Sequence, residues 1–491
     1  MSDFDLVVRG NIVERDRIIT DGWLAVREGR VAARGVGAAP SAREHVDARG
    51  MWVMPGVLDG QVHSGSQANQ EGLGWASRAA AAGGVTTMVE MPYDDPEPVA
   101  SRPQLEDKIA RIESDCHVDV ACYGTLNDQH GLEAAAGLIE GGVCGFKFST
   151  FEASPNRFPR VEEDILMEAF RLIAPSGLAC GVHNQDQELT RKNIKRMVEA
   201  GDTGWDAFLR AHTPLIENLA TSAIYEIGAQ TGARAHAVHV SLSRGFEICN
   251  MYRQAGHKAS IETCVQYLML NHEEHTRRFG AKTKHYPPIR PKAEMDLLWT
   301  HIANDECTFV SSDHVSWGLE RKQFDNVFQN SSGGPGLETL LPAFWTGCAE
   351  HGISPTMVVK QLCWGPAQHF LLEHRKGSLN VGADADIVIV NYDVVGSHLS
   401  RLSRLRPKAL VLDESHYCKN PRAKRTHAVR RLAQTLPNGA LRLALTGTPV
   451  MNHAEELIPQ LRVLGRLEDF GSGARFARRF QGVGAEERIH W

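Results

Sequence analysis

The sequence lacks the features of a membrane or secreted protein. No apolar run approaches the roughly 18 residues that cross a bilayer. Asp3 and Asp5 stand near the amino terminus, where a secretory signal would carry lysine or arginine. The ten cysteines include no CxxC pair, which argues against a zinc knuckle or a disulfide framework and indicates reduced thiols. We therefore expect a cytoplasmic protein with no membrane contact.

The composition is otherwise that of a globular protein, and its charge is unevenly spread. Of the 491 residues, 42% are hydrophobic, 23% are charged and 7% are aromatic, which predicts two or three domains with buried cores. Residues 401–491 hold 17 lysines and arginines against 8 acidic residues, whereas residues 1–400 hold 36 against 51. The net charges of +9 and −15 indicate that the two parts differ in kind.

Hydrophobic periodicity predicts the fold of the first four-fifths of the chain. Residues 3–53 alternate apolar and polar positions between turn residues, which predicts a small β module. From Val57, eight short apolar runs follow one another with helical stretches between most of them, which favours a (β/α)8 TIM-type barrel over an open doubly wound sheet. We predict the first part of a β-sandwich module over residues 1–55, the barrel over 56–373, a strand returning to the module over 374–390, and a separate segment over 391–491.

Polar residues stand near the ends of the predicted barrel strands, where the reactive groups of parallel barrels lie. They are Gln61, His63, Lys147, His183, His239 and Asp313. Gln61 and His63 are two residues apart and so project to the same side, whereas His236 is expected on the opposite face from His239, in a structural role. Each residue alone would be ordinary, but together they indicate a site for zinc, manganese or iron.

Residues 1–390 resemble the cyclic amidohydrolases, the group of hydantoinases, dihydropyrimidinases, allantoinases and dihydroorotases. The resemblance rests on PGVLDGQVH, GVCGFKFS, VHVS, ETCVQYL, SSDH and GGPGLETLLP, in the family's order. It implies a hydrolase that opens the amide bond of a cyclic ureide or imide with metal-activated water. It also implies one or two divalent ions, foremost zinc, and a dimer or tetramer.

The same resemblance implies roles for the residues of the predicted site. Lys147 would be carbamylated and bridge two metals, His183 and His239 would bind the second metal, and Asp313 would be both a ligand and the proton shuttle. His63 matches the second histidine of the family's opening His-x-His pair.

The sequence departs from the family's pattern at the first metal position and around the substrate. Gln61 stands where the first histidine is expected, and its neutral amide oxygen is a weaker zinc ligand, so that the first metal position could be weakly occupied or empty. Thr150, Glu152, Tyr286 and Gly334 would line the substrate pocket, or they could equally be ordinary loop residues.

Residues 391–491 resemble a different family, the Swi/Snf-type helicases of superfamily 2. LVLDESHYCKNP and LALTGTPVMN carry the resemblance, with Asp413 and Glu414 in the acidic Walker B position. A motor also needs a P-loop to hold phosphates, and the nearest string, Gly280–Thr283, lacks the upstream glycine spacing. We therefore predict a partial α/β helicase-like fragment and expect no ATP hydrolysis.

Two other functions are open at this stage. Gln61 and Gln266, where relatives carry histidine, would suit a catalytically impaired relative that acts as an oligomeric scaffold. The basic segment 391–491 would suit nucleic-acid binding. We rank the metal-dependent hydrolase first and nucleic-acid binding last.

Overall fold

The computed structural model describes residues 4–66, 71–127, 129–387, 409–412, 418, 424–436, 441–444 and 457–470. Asp413, Glu414, the LTGTP motif and the predicted boundary near Val390 lie outside these residues. In the described part, no helix combines the length and the apolar character needed to cross a membrane.

The amino-terminal module is a twisted four-stranded sheet. Its strands are β1 (Phe4–Val13), β2 (Ile18–Arg27), β3 (Arg30–Val36) and β4 (Ala42–Val53), in the order β3-β2-β1-β4. Strand β1 pairs antiparallel with β2 and parallel with β4. The alternating pattern predicted this arrangement because it gives the sheet one apolar face, and Val8, Leu24 and Val53 pack there.

The chain returns to this sheet after the barrel. The amide of Val31 donates to the carbonyl of Ala383 over 2.9 Å, and Arg30 and Asp384 form an antiparallel bridge. Leu379 packs into the core of the module. Within the described residues the strand expected over 374–390 is present only as this isolated bridge.

The barrel prediction is confirmed. Nine parallel strands follow one another around the barrel in the order β12-β11-β10-β9-β8-β7-β6-β5-β13. They are β5 (Val57–His63), β6 (Val85–Glu90), β7 (Asp119–Gly124), β8 (Gly145–Ser149), β9 (Ala179–His183), β10 (Arg234–Ala237), β11 (Ala259–Cys264), β12 (Phe309–Ser311) and β13 (His314–Val315).

The eighth barrel strand is split into β12 and β13, and the two pieces close the ring. Strand β12 pairs with β11, and β13 pairs with β5. The break falls at Ser312 and Asp313, where Asp313 has a φ of +46°. Residues other than glycine rarely adopt this left-handed backbone conformation. It bends the chain at Asp313, at the carboxyl ends of the strands.

Helices cover the outside of the barrel. They are α1 (Gly72–Ala82), α2 (Arg102–Asp115), α3 (Ala134–Gly141), α4 (Glu163–Ile173), α5 (Gln187–Glu199), α6 (Trp205–Ala211), α7 (Pro214–Thr231), α8 (Ser243–Gln254), α9 (Val265–Met269), α10 (Arg277–Phe279), α11 (Lys292–Ala303), α12 (Leu340–Glu350), α13 (Pro355–Val359) and α14 (Gly365–His369). The interior is tightly filled: a Cβ on Gly60 would lie 2.3 Å from the ring of Phe309.

The described pieces of the carboxyl-terminal segment form a small α/β unit. Strands β14 (Ala409–Leu412) and β15 (Leu441–Ala444) pair in parallel, and helices α15 (Lys424–Thr435) and α16 (Leu457–Leu464) accompany them. Leu410, Val429, Leu432 and Val463 share a buried core. This arrangement agrees with the partial α/β fragment that the sequence predicts for this segment.

A buried ion pair fixes the loops above the barrel. Arg290 Nη2 lies 3.0 Å from Glu217 Oε2, and Arg290 Nε donates to Ser241 Oγ over 2.9 Å. The amide of Ser241 donates to Glu217 Oε1 over 2.7 Å. All three residues are buried. Because little water reaches them, the Arg290 and Glu217 charges stabilise each other.

We predict that Glu217→Leu destabilises the protein by about 3–5 kcal/mol, because it leaves the Arg290 guanidinium buried without a counter-charge. Urea unfolding of the two proteins measures the difference. The control is Asp202→Asn, which removes an exposed ion pair with Arg210 and should change stability by less than about 1 kcal/mol. Equal stability of the Glu217 and Asp202 variants would contradict this account.

Candidate metal and catalytic site

The six residues predicted at the strand ends are all buried, on barrel strands or directly after them. Gln61 and His63 lie in β5, Lys147 in β8 and His183 at the end of β9, while His239 follows β10 and Asp313 separates β12 from β13.

Lys147 differs from the sequence prediction in its place on the strand. It lies in the middle of β8 and pairs in register with Gly181 of β9. Gly181 is two residues before His183, so Lys147 and His183 face the same side of the sheet. A Cβ at Gly181 would lie 3.6 Å from the Lys147 side chain, which is ordinary van der Waals contact.

His183 and His239 form the first pair of candidate ligands. Nδ1 of His183 faces Nε2 of His239 at 2.8 Å. Nε2 of His183 lies 3.1 Å from Gln185 Oε1, an acceptor that fixes the His183 proton on Nε2 and leaves a lone pair on Nδ1. This carbonyl partner orients His183 in the way that outer groups orient zinc-bound histidines.

His63 and Asp313 form the second pair. His63 Nε2 lies 3.6 Å from Asp313 Oδ1, and His63 Nδ1 lies 2.9 Å from Ser66 Oγ. Gln61 Nε2 donates to the same Asp313 Oδ1 over 2.7 Å. The carboxylate oxygen therefore receives an amide hydrogen bond and also faces an imidazole.

Burial changes the protonation of these groups. Desolvation lowers the pKa of Lys147, against the attraction of Asp313 and Glu262, and it lowers the pKa of His183 to about 3. The histidines are therefore neutral at neutral pH, as metal ligation requires. The positive charge of the Lys147 ammonium also lowers the pKa of His63, His183 and His239.

The donor set fits a divalent cation. Neutral imidazole nitrogens and carboxylate oxygens are groups that bind zinc. Burial favours the unprotonated, reactive form of Lys147. Two buried atoms, Gln61 Oε1 and His239 Nδ1, have no hydrogen-bond partner among the described residues. Among the described residues, His183–His239 and His63–Asp313 meet as two pairs and not as one cluster of three.

A tighter group of candidate ligands lies elsewhere, on the edge of the barrel. Asp119, Asp384 and Asp386 are close enough to share an ion. The ammonium of Lys376 pairs with all three carboxylates. That lysine supplies the positive charge there, so we assign no metal to this cluster.

Two buried acids near the site were missed by sequence reasoning. Glu262, in β11, accepts from the amide of His239 over 3.2 Å, and burial raises its pKa. Asp59, in β5, accepts from the amides of Ser312 (3.0 Å) and Gln61 (3.3 Å), and burial raises its pKa to about 6. An acidic residue inside an otherwise apolar strand is the signal that could have found both.

Two of the four expected substrate contacts are engaged by other groups. Thr150 is buried, and its Oγ1 lies 2.9 Å from the His183 carbonyl and 2.9 Å from the Gln185 amide. Its hydroxyl therefore supports the segment that carries His183 instead of facing open space. Glu152 is partly exposed and pairs with Arg191 at 2.9 Å, at the rim.

The other two lie closer to the candidate ligands. Tyr286 is 6.3 Å from the ring of Phe151, which in turn is 6.5 Å from the ring of His183. Gly334 bridges to His314 in the eighth strand, and a Cβ there would lie 3.1 Å from His285 Nε2. A side chain at Gly334 would therefore require the His285 ring to shift slightly.

An aromatic wall that sequence reasoning did not identify borders the site. Phe158 packs edge-on against His183 at 5.8 Å and stacks on Tyr93 at 3.8 Å. The hydroxyl of Tyr93 donates to the carbonyl of Lys147 over 3.1 Å. These rings limit the access of water to the candidate ligands, which strengthens electrostatic interactions there.

Comparison with known proteins agrees with this architecture. Residues 52–413 match the model of the amidohydrolase family, and residues 354–488 match that of the SNF2-related domain. Both resemblances seen in the sequence are therefore confirmed at the level of the family models, which overlap over residues 354–413.

Individual relatives cover the barrel and its module. The chain is 32% identical to an allantoinase of Solibacter usitatus (strain Ellin6076) over 79% of its own length and 85% of the relative. It is 30% identical to an L-hydantoinase of Paenarthrobacter aurescens over 80% and 86%. The solved L-hydantoinase (dihydropyrimidinase) from Arthrobacter aurescens superposes with a TM-score of 0.75 at 29% identity, covering 78% of this chain and 86% of that one.

We predict that Gln185→Leu weakens zinc binding about 10- to 100-fold, because it removes the acceptor that sets the His183 tautomer. Competition with a chromophoric chelator measures the affinity. The control, Gln230→Leu, changes an exposed glutamine on α7 and should bind zinc as the unaltered protein does. Unchanged affinity in the Gln185 variant would contradict the role of Gln185 in setting the His183 tautomer for metal binding.

Proposed function

The chain belongs to the amidohydrolase family, and on that premise we propose that it is a metal-dependent hydrolase that opens the amide bond of a cyclic ureide or imide. The substrate would be a ring of the hydantoin, dihydropyrimidine, allantoin or dihydroorotate type. The observation that supports it best is that the His183–His239 and His63–Asp313 pairs and the buried Lys147, which faces the same side of the sheet as His183, are all carried by barrel strands or the residues directly after them.

Each of these residues has a role in the proposal. His183 and His239 would hold one ion and His63 and Asp313 the other, with Lys147 between them. When bound, the ions supply a water that ionises near neutral pH and polarise the ring carbonyl. Zinc suits the set best, and manganese or iron would also bind.

Lys147 would serve as its carbamate. Its uncharged Nζ attacks carbon dioxide, a nitrogen–carbon bond forms, and one proton is released. Burial favours this step because it disfavours the ammonium form, which cannot react. The carbamate then offers two anionic oxygens, one for each metal position.

Asp313 would move the proton during ring opening. Its carboxylate accepts a proton from the attacking water as the new carbon–oxygen bond forms, and it returns that proton to the ring nitrogen as the carbon–nitrogen bond breaks. The product is a ring-opened ureido or carbamoyl acid. Gln61 and His63, which face Asp313 Oδ1, hold the carboxylate in place for both transfers.

We predict that zinc- or manganese-loaded protein opens at least one ring in a panel of hydantoins, dihydropyrimidines, allantoin and dihydroorotate. Lys147→Ala should lose more than 100-fold in kcat/KM, because the bridge between the metal positions is gone. Ring opening followed by absorbance or chromatography measures both, with Lys192→Ala, an exposed lysine on α5, as the control.

Full turnover by the metal-free protein or by Lys147→Ala would refute the proposal. Absence of both bound metal and activity on every ring would instead favour the impaired-scaffold function. A dimer or tetramer stays a prediction, and the mass of the native particle tests it.

A further inference from the structure

We infer that Gln61 is a positioning residue that acts on Asp313 through its amide N–H and is not a metal ligand, so that the His63–Asp313 position holds its ion more weakly than the His183–His239 position. The inference rests on the proposed function. It concerns the residue at which this chain departs from the family's opening His-x-His pair.

The orientation of the Gln61 amide is set by its partner. Nε2 lies 2.7 Å from Asp313 Oδ1, and both side chains are buried. The reverse orientation would place Oε1 against the carboxylate oxygen, two acceptors in contact with no proton between them. The N–H therefore faces Asp313.

Backbone contacts hold the two side chains at this distance. Asp59 accepts from the amide of Gln61 over 3.3 Å and from the amide of Ser312 over 3.0 Å. The buried Asp59 carboxylate thus links Gln61 on β5 to Ser312, the residue before Asp313, across the strands that close the barrel. The Gln61–Asp313 hydrogen bond is built into the fold and does not depend on a mobile loop.

An amide nitrogen cannot replace an imidazole nitrogen at a metal. Its lone pair is delocalised and both its hydrogens are donors, whereas imidazole offers a lone pair. The amide oxygen, Gln61 Oε1, is buried without a hydrogen-bond partner among the described residues, and as a neutral oxygen it is a weaker zinc ligand than imidazole. The amide N–H also directs its partial positive charge at Asp313 Oδ1 and occupies a lone pair of that oxygen. The His63–Asp313 position is left with one imidazole and one carboxylate in addition to Lys147, against two imidazoles at the other position.

Metal content separates the positioning role from a ligand role. Zinc per chain is measured by elemental analysis after dialysis against a mild chelator, together with kcat and KM on the best ring substrate. The variants are Gln61→Leu, which removes the amide but keeps its approximate volume, and Gln61→His, which supplies a lone pair. The control is Gln368→His, which adds an imidazole on the surface of α14.

We expect the unaltered protein to retain about one zinc ion and Gln61→Leu to retain the same amount. Its kcat should fall 10- to 100-fold with little change in KM, because Asp313 is no longer held in place. Gln61→His should retain close to two ions, and Gln368→His only the original one.

Other results would overturn the inference. Loss of zinc in Gln61→Leu would show that Gln61 is a ligand. Two firmly retained ions in the unaltered protein would show that the His63–Asp313 position binds its ion strongly. Either result would leave the hydrolase proposal intact. Unchanged kcat in Gln61→Leu would remove the positioning role. Absence of both zinc and ring opening in the unaltered protein would sink the proposed function and this inference with it.

Discussion

The burial of Lys147 is the constraint on which the site depends. An ammonium in the middle of a barrel strand has lost its hydration, and the described residues offer it two buried acids, Glu262 and Asp313, as counter-charges. Burial lowers the pKa of the amine, so a larger fraction of it is uncharged than for a lysine on the surface. The same burial keeps the surrounding imidazoles neutral, so one physical cause prepares both the bridging group and the ligands.

The barrel explains how these groups come together from distant parts of the sequence. Closure depends on the split eighth strand, whose two pieces pair with β11 and β5. The bend between the pieces brings Asp313 to Gln61 and His63, and Asp59 secures it through Ser312. The element that completes the ring is therefore also the element that carries the candidate proton shuttle.

Sequence reasoning predicted the architecture and the ligand pairs better than it predicted their surroundings. The alternation of apolar runs with helices, and the rule that polar residues gather where parallel strands end, led to the barrel and to His63, His183 and Asp313. It could not show that the Thr150 hydroxyl is held by the backbone around His183, or that Gln185 sets the tautomer of His183. Such contacts depend on side-chain rotamers and on loops that meet only in the folded chain. Glu262 and Asp59 could have been identified from the sequence, because burying an acid inside an apolar strand costs free energy unless the acid has hydrogen-bond or charge partners.

The central claim is that Lys147 carries a carbamate in the working protein. Carbon-13 NMR of zinc-loaded protein equilibrated with labelled bicarbonate tests it directly, with the Lys147→Ala protein as reference. The account predicts one bound carbamate signal that is absent from the variant and disappears when acid releases the label as carbon dioxide. An active protein that shows no such signal, or that shows it equally in the variant, would contradict the account.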